Sequence, residues 1–234
     1  YRPGYRLLTG SLLDARRVAL TFGLDPRLGD RELVELVRVR LRGLREQLPR
    51  YRAVPEKDSP LFENVFRGAS VDLLQFPAPL WHEHDGGRYL GTADAVVTRD
   101  PETGWVNVGT YRAMVHGPRE VGIFINVSHH GRLHAEKYWK RGEKCPVVIS
   151  LGHHPLIFAI AGLEVPAGFS EFDYAGALVE RPYPVVEGPV TGLPIPADSE
   201  VAIEGYISAE QRLEGPYGEF LGYYAGGAMQ NPVI

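Results

Sequence analysis

The sequence predicts an α+β fold, with a small α-rich segment over residues 1–58 and a β-rich domain over residues 59–234. Three observations carry that reading. Apolar residues recur at spacings of three and four from Leu33 to Leu48. After Asp85-Gly86-Gly87 the pattern changes to the period of a strand. From there, short apolar runs follow one another closely with few helical stretches between them, which suits a barrel-like or sandwich-like domain.

Each element has a local reason. Between Leu12 and Leu48 the pattern is helical, with Asp30 as a cap and Leu33, Leu36, Val37, Leu41, Leu44 and Leu48 as the apolar face. Arginines fill the other face, as on a solvated helix packed by one stripe. Residues 51–60 hold two prolines and mixed charge and read as a linker. Strands are expected near 89–98, 105–114, 121–127 and 147–151. The run Asp100-Pro101-Glu102-Thr103-Gly104 forms a hairpin turn between the first two. Residues 131–141 and 155–161 read as helices. Residues 185–190 and 201–207 read as further strands, separated by a proline-rich loop at 194–196. No internal repeat interrupts this order.

A chain of 234 residues can bury a sizeable core. Its formal net charge of −4 lacks the basic footprint of a nucleic-acid-binding chain. Cys145 is the single cysteine, so no intrachain disulfide forms, which fits a reducing cytoplasm. No apolar run approaches the ~20 residues that span a bilayer. Residues 147–161 come nearest, and His153, His154 and Pro155 break them. The chain opens on Tyr1 and closes on Asn231-Pro232-Val233-Ile234, which reads as strand, so a fragment of a longer protein is expected.

Two segments set charged and amide side chains among glycines and aromatics: Asn107 to Arg112, and Glu214 to Glu219. Asn107 and Arg112 lie five residues apart, on opposite faces of an ideal strand. A bulge at Gly109 would bring them to one side. A rim arginine is the plain alternative. Glu214 and Glu219 bracket Gly-Pro-Tyr-Gly, a turn able to aim both carboxylates at one cavity. An arginine beside two carboxylates keeps one ionised while repulsion and burial raise the other, as a general acid requires. Two solvated loop glutamates are the plain alternative. Of eight histidines, four form the pairs 129–130 and 153–154, and one of each pair reads as structural. His130 and His134 fall on one helix face and could share a metal. Asn126-Val127-Ser128 fits a glycosylation acceptor but reads as strand. No phosphate-binding glycine loop, GxSxG or HExxH occurs.

Taken in order, Leu61-Phe62-Glu63-Asn64-Val65, Pro79-Leu80-Trp81-His82, Thr98-Arg99-Asp100-Pro101, Asn107 to Arg112 and Glu214 to Glu219 resemble the UbiD family of prenylated-flavin-dependent decarboxylases. The resemblance runs from about Tyr5 to Ile234. It implies a split β-barrel central domain of the flavin-reductase kind. It also implies prenylated FMN, whose phosphate is held through Mn²⁺ or Mg²⁺, with K⁺ nearby, and a flavin prenyltransferase as supplier. Asn107 and His130 match metal ligands. Thr92, Gly109, Thr110, Arg112 and His129 fall in segments that line the flavin. Arg112, Glu214 and Glu219 match the active-site network, with Glu219 as proton donor and Arg112 and Glu214 orienting it.

One position departs from the pattern. The resemblance puts a third metal ligand nine residues after the alanine of an Ala-Gly-x-Leu segment. Here Ala175-Gly176-Ala177-Leu178 leads to Pro184, which cannot ligate. Glu187 is the candidate substitute, although three residues along a strand face the other way; Glu180 is a second. The expected function is therefore reversible decarboxylation of an aromatic or α,β-unsaturated carboxylic acid by a homo-oligomeric parent. The resemblance places a C-terminal oligomerisation domain beyond this chain and leaves the fragment alone inactive. A non-catalytic flavin-binding subunit is the rival, and a flavin reductase a weaker third.

Overall fold

The computed structural model describes residues 4–234. Three short helices lead the chain: α1 (Ala15–Thr21), α2 (Asp30–Leu41) and α3 (Leu44–Gln47). Asp14 caps α1, its carboxylate accepting from the Arg16 and Arg17 amides. Asp30 is not the cap expected from the sequence. It is the first helical residue of α2, behind Gly29, and serves instead as an acidic residue in the first turn. Leu33, Leu44 and Leu48 are buried as the spacing predicts, whereas Leu36 and Leu41 stay exposed because the helix breaks at Arg42.

Among the described residues the strands form four sheets. The first strand, β1 (Val54–Pro55), pairs in parallel with β8 (Pro184–Glu187), which pairs antiparallel with β9 (Pro194–Pro196). The proline-rich loop is thus an edge strand, the place where a missing N–H costs no ladder bond. A central sheet has the order β10 (Val201–Ile207), β7 (Cys145–Leu151), β3 (Ala95–Arg99), β4 (Val106–Gly109). A third contains β2 (Arg88–Gly91), β5 (Arg112–Gly117) and β6 (Glu120–Phe124). A hairpin of β11 (Gln211–Glu214) and β12 (Met229–Pro232) completes the set. These strands leave the architecture mixed α and β, without one closed ladder among the described residues. The Asn126-Val127-Ser128 stretch, read as strand, is an exposed turn.

The central sheet is buried on both faces. Ala95 and Val97 of β3 and Val148 of β7 face one core, shared with Leu44, Leu48, α5 (Pro155–Ala161) and α6 (Glu171–Leu178). Val96, Val147 and Ile149 face the other, shared with β5, β6 and α4 (His130–Lys140). Strand side chains alternate, so a strand covered on both sides must be apolar at every position. Cys145 opens β7, fully buried, and burial pushes its thiol up to about 12. Among the described residues, no helix is long and apolar enough to cross a membrane.

Candidate active site

The chain between β4 and β5 is broken by a turn at Thr110 and Tyr111, so no bulge at Gly109 is needed. Asn107 sits on the central sheet and Arg112 opens β5 of the next sheet. The two side chains serve separate clusters.

The first cluster is built on Glu214, which has no exposed surface. Its Oε2 accepts from Arg112 Nη2 at 3.0 Å and Asn231 Nδ2 at 3.1 Å, and its Oε1 from the Tyr89 hydroxyl at 2.7 Å. A buried carboxylate survives only when its oxygens are so supplied. Burial, then the hydrogen bond to Glu214, pushes the Tyr89 hydroxyl's pKa up and keeps it a donor. The Arg112 guanidinium lies 4.2 Å over Phe124 and 5.1 Å over Tyr217, while its Nε has no partner among the described residues. Aromatic faces hold a guanidinium in place without consuming its donors.

Glu219 is not part of that cluster. It lies five residues on, half-buried at the start of a loop whose Phe220, Leu221 and Tyr223 are exposed. No ion pair or side-chain hydrogen bond joins it to Arg112 or Glu214 among the described residues. The intervening turn is anchored from the other side. Asp85 accepts from the amides of His82 at 2.9 Å and Gly218 at 2.7 Å, and Gly86 N–H donates to Pro216 at 2.8 Å. A Cβ at Gly86 would fall 1.8 Å from the Gly215 carbonyl oxygen, so the two segments touch backbone to backbone. Thr92 approaches from the loop after β2 and meets Tyr217.

The second cluster holds the residue that sequence reasoning missed. Glu171, in the first turn of α6, is buried. Its Oε1 accepts from Asn107 Nδ2 at 2.7 Å and its Oε2 from the Val108 amide at 2.6 Å. Burial raises its pKa to about 7. Asn107 Oδ1 is left buried without a partner among the described residues. His130 begins α4 with His129 as its cap, and α4 packs across β3 and β4. Burial, then His129, lowers the His130 pKa, which favours the neutral imidazole. Neither carboxylate named from the sequence is here. Glu187 is exposed at the end of β8, in the sheet with β1 and β9, and Glu180 is exposed just past the end of α6. Three residues along β8 did turn Glu187 outward, as strand alternation requires. The available signal for Glu171 was Ser170-Glu171, a serine cap followed by an acidic first turn.

His134, His153 and His154 have structural roles. His134 Nδ1 lies 3.0 Å from Thr98 Oγ1, and burial lowers its pKa to about 4. Trp105 stands edge-on to both His130 and His134, so the expected shared metal face is filled by an indole. His153 Nδ1 bonds Ser150 at 3.0 Å, and His154 caps α5. A cleft of about 900 Å³ lies elsewhere, between residues 60–76 and β10, and none of the candidate site residues lines it.

A family model for UbiD, described as the 3-octaprenyl-4-hydroxybenzoate carboxy-lyase Rift-related domain, matches residues 52–234. The chain belongs to the UbiD family. The pyrrole-2-carboxylic acid decarboxylase of Pseudomonas aeruginosa is 39% identical over 210 residues, covering 88% of this chain and 41% of that protein. The closed form of the vanillic acid decarboxylase of Sedimentibacter hydroxybenzoicus superposes with a TM-score of 0.84 at 30% identity, over 94% of this chain and 46% of that one. An evolved dimeric form of the UbiD-class enzyme HmfF from Pelotomaculum thermopropionicum, in complex with prFMN, gives 0.82 at 28% identity, over 94% and 49%. The chain spans less than half the length of each of these UbiD relatives.

Proposed function

We propose that this UbiD chain is the flavin-binding part of a carboxy-lyase that uses prenylated FMN to release CO₂, reversibly, from an aromatic or α,β-unsaturated carboxylic acid. The observation that carries the reading is the Arg112–Glu214 ion pair, its carboxylate wholly buried, beside a family match over residues 52–234. The split barrel of a flavin-reductase-like domain over 59–234, behind an α-rich segment over 1–58, belongs to the same proposal, as does a flavin prenyltransferase that supplies the cofactor.

The donor set fits a hard divalent cation. Mn²⁺ and Mg²⁺ prefer oxygen, and carboxylates with phosphate oxygens are their usual ligands. Asn107 Oδ1 is an orphaned buried acceptor, and Glu171 beside it is a carboxylate that burial makes reluctant to ionise. A cation would answer both needs. Asn107, Glu171 and the neutral imidazole of His130 would hold it, and it would tie the flavin phosphate near the first turn of α4. Thr92, Gly109, Thr110, Arg112 and His129 would line the flavin itself.

Prenylated FMN, when bound, supplies the electron-accepting centre for breaking the bond to the carboxyl carbon. The protein's own share is position and protons. Arg112, held by Glu214 and two aromatic faces, would offer the donors that Glu214 does not take to the substrate carboxylate. Glu219 gives its proton to the substrate carbon from which CO₂ has left, so the products are CO₂ and the acid's carbon skeleton with one added hydrogen. Closure of the 219–228 loop would bring that carboxyl inward and exclude water.

The rival, a non-catalytic flavin-binding subunit, rests on Pro184 at a ligand position, and a carboxylate at Glu171 beside Asn107 weighs against it. The deciding experiment loads the intact protein with prenylated FMN and follows CO₂ release from pyrrole and phenolic carboxylic acids. Bound prenylated flavin with CO₂ release supports the reading. Bound flavin with no turnover of any acid tested favours the subunit.

A further inference from the structure

We propose that Asp94 and Tyr111 form a clasp that sets the spacing between segment 107–112 and the first turn of α4. The inference rests on the reading of these two segments as flavin-binding.

Asp94 has no exposed surface. Its Oδ1 accepts from the Tyr111 amide at 3.0 Å and from the Thr110 hydroxyl at 3.3 Å. Those are the two residues of the turn between β4 and β5. The turn has no ladder bond of its own, so this carboxylate is what fixes it. Asp94 stands directly before β3, the middle of the central sheet, which makes it a rigid anchor.

Tyr111 continues the connection. Its ring passes between two glycines. A Cβ at Gly109 would meet it at 2.4 Å, and one at Gly131 would lie 3.2 Å from its hydroxyl. That hydroxyl lies beside Gly131, and His129 lies against the ring with centroids 5.7 Å apart. One side chain therefore touches both β4 and the start of α4. Gly109 on one side and Gly131 on the other are the residue types that leave room for it. Neither Asp94 nor Tyr111 belongs to the sets that would hold the metal or transfer the proton. They act as positioning residues.

The test measures FMN affinity of the intact protein by flavin fluorescence quenching, together with visible circular dichroism of the bound flavin. Asp94→Ala removes the acceptor and weakens binding at least about tenfold, as misplacing a binding segment does. Tyr111→Phe keeps the ring and loses the polar group beside Gly131, for a loss of about fivefold, the size of one polar contact. Both change the flavin dichroism. Asp94→Asn keeps an acceptor oxygen for the Tyr111 amide and restores affinity and dichroism toward wild type. If Asp94→Ala does not fold, Tyr111→Phe and Asp94→Asn decide. Wild-type affinity and dichroism in Tyr111→Phe overturn the clasp while leaving the functional reading intact, and so does an Asp94→Asn protein as defective as a folded Asp94→Ala one. A wild-type protein that does not bind FMN overturns both.

Discussion

Glu214 and Glu219 differ in what surrounds them, and mutation should separate their roles. Arg112→Ala would leave Glu214 buried with Tyr89 and Asn231 but no countercharge. The expected cost is about 3 kcal/mol, the low end for breaking a buried pair, read as a lowered midpoint in urea. Glu219 sits on a loop with no such bonds, so Glu219→Gln should leave stability unchanged and reduce turnover at least ~10²-fold while flavin still binds. Near-normal turnover would assign the proton to another group. For the metal, calorimetry with Mn²⁺ and FMN should show Glu171→Gln weakening binding and Glu187→Ala leaving it unchanged; the reverse result would move the site to β8. Asp94 supplies a pH dependence. Burial raises its pKa to about 7, against an unfolded value of roughly 3.9. Across that window the folded state keeps a proton that the unfolded state has lost, so stability falls as pH rises and levels off above pH of about 7. Asp94→Asn should remove this part of the slope, measured as the difference between the two unfolding midpoints at successive pH values.

At the scale of elements, β7 was legible because nearly every residue is apolar, whereas the single strand expected over 89–98 is two, β2 and β3, which belong to different sheets. Helix α5 and strand β10 fall where the pattern puts them, at 155–161 and 201–207. Helix α6 was not legible. Phe172, Tyr174, Ala175, Ala177 and Leu178 crowd eight residues that include a glycine, and a buried short helix of that kind carries no clear period. Glu171 went unseen with it, since an acid in a first turn reads as a partner of the helix dipole. Asn231 and Pro232 of β12 read as strand, but β11 and its pairing with β12 were missed because β11 is mostly exposed and a long loop joins the two. The contact between segment 82–87 and turn 215–218 was beyond reach of any local pattern, because it depends on the Gly86 amide meeting the Pro216 carbonyl, far away in the chain. It yields a prediction. Gly86→Ala must push the segments apart, at a cost of about 1–3 kcal/mol in a chemical denaturation experiment. An unchanged midpoint would show that the turn is free to move.

For the whole molecule, the mixed α and β architecture followed from the sequence, whereas the arrangement of four sheets did not, since pairing partners such as β1 with β8 are distant in the chain. Residues 1–234 expressed alone are expected to bind flavin weakly and to release no CO₂. The chain spans under half of its relatives, and the loop that carries Glu219 leaves Phe220 and Leu221 uncovered. A yellow, active preparation of that length would refute this. The buried thiol of Cys145 has a consequence for experiment. It begins the strand at the middle of both cores, so a maleimide can reach it only after the central sheet comes apart. Its alkylation rate would serve as a built-in clock for global opening, with no label added and no second cysteine to confuse the count.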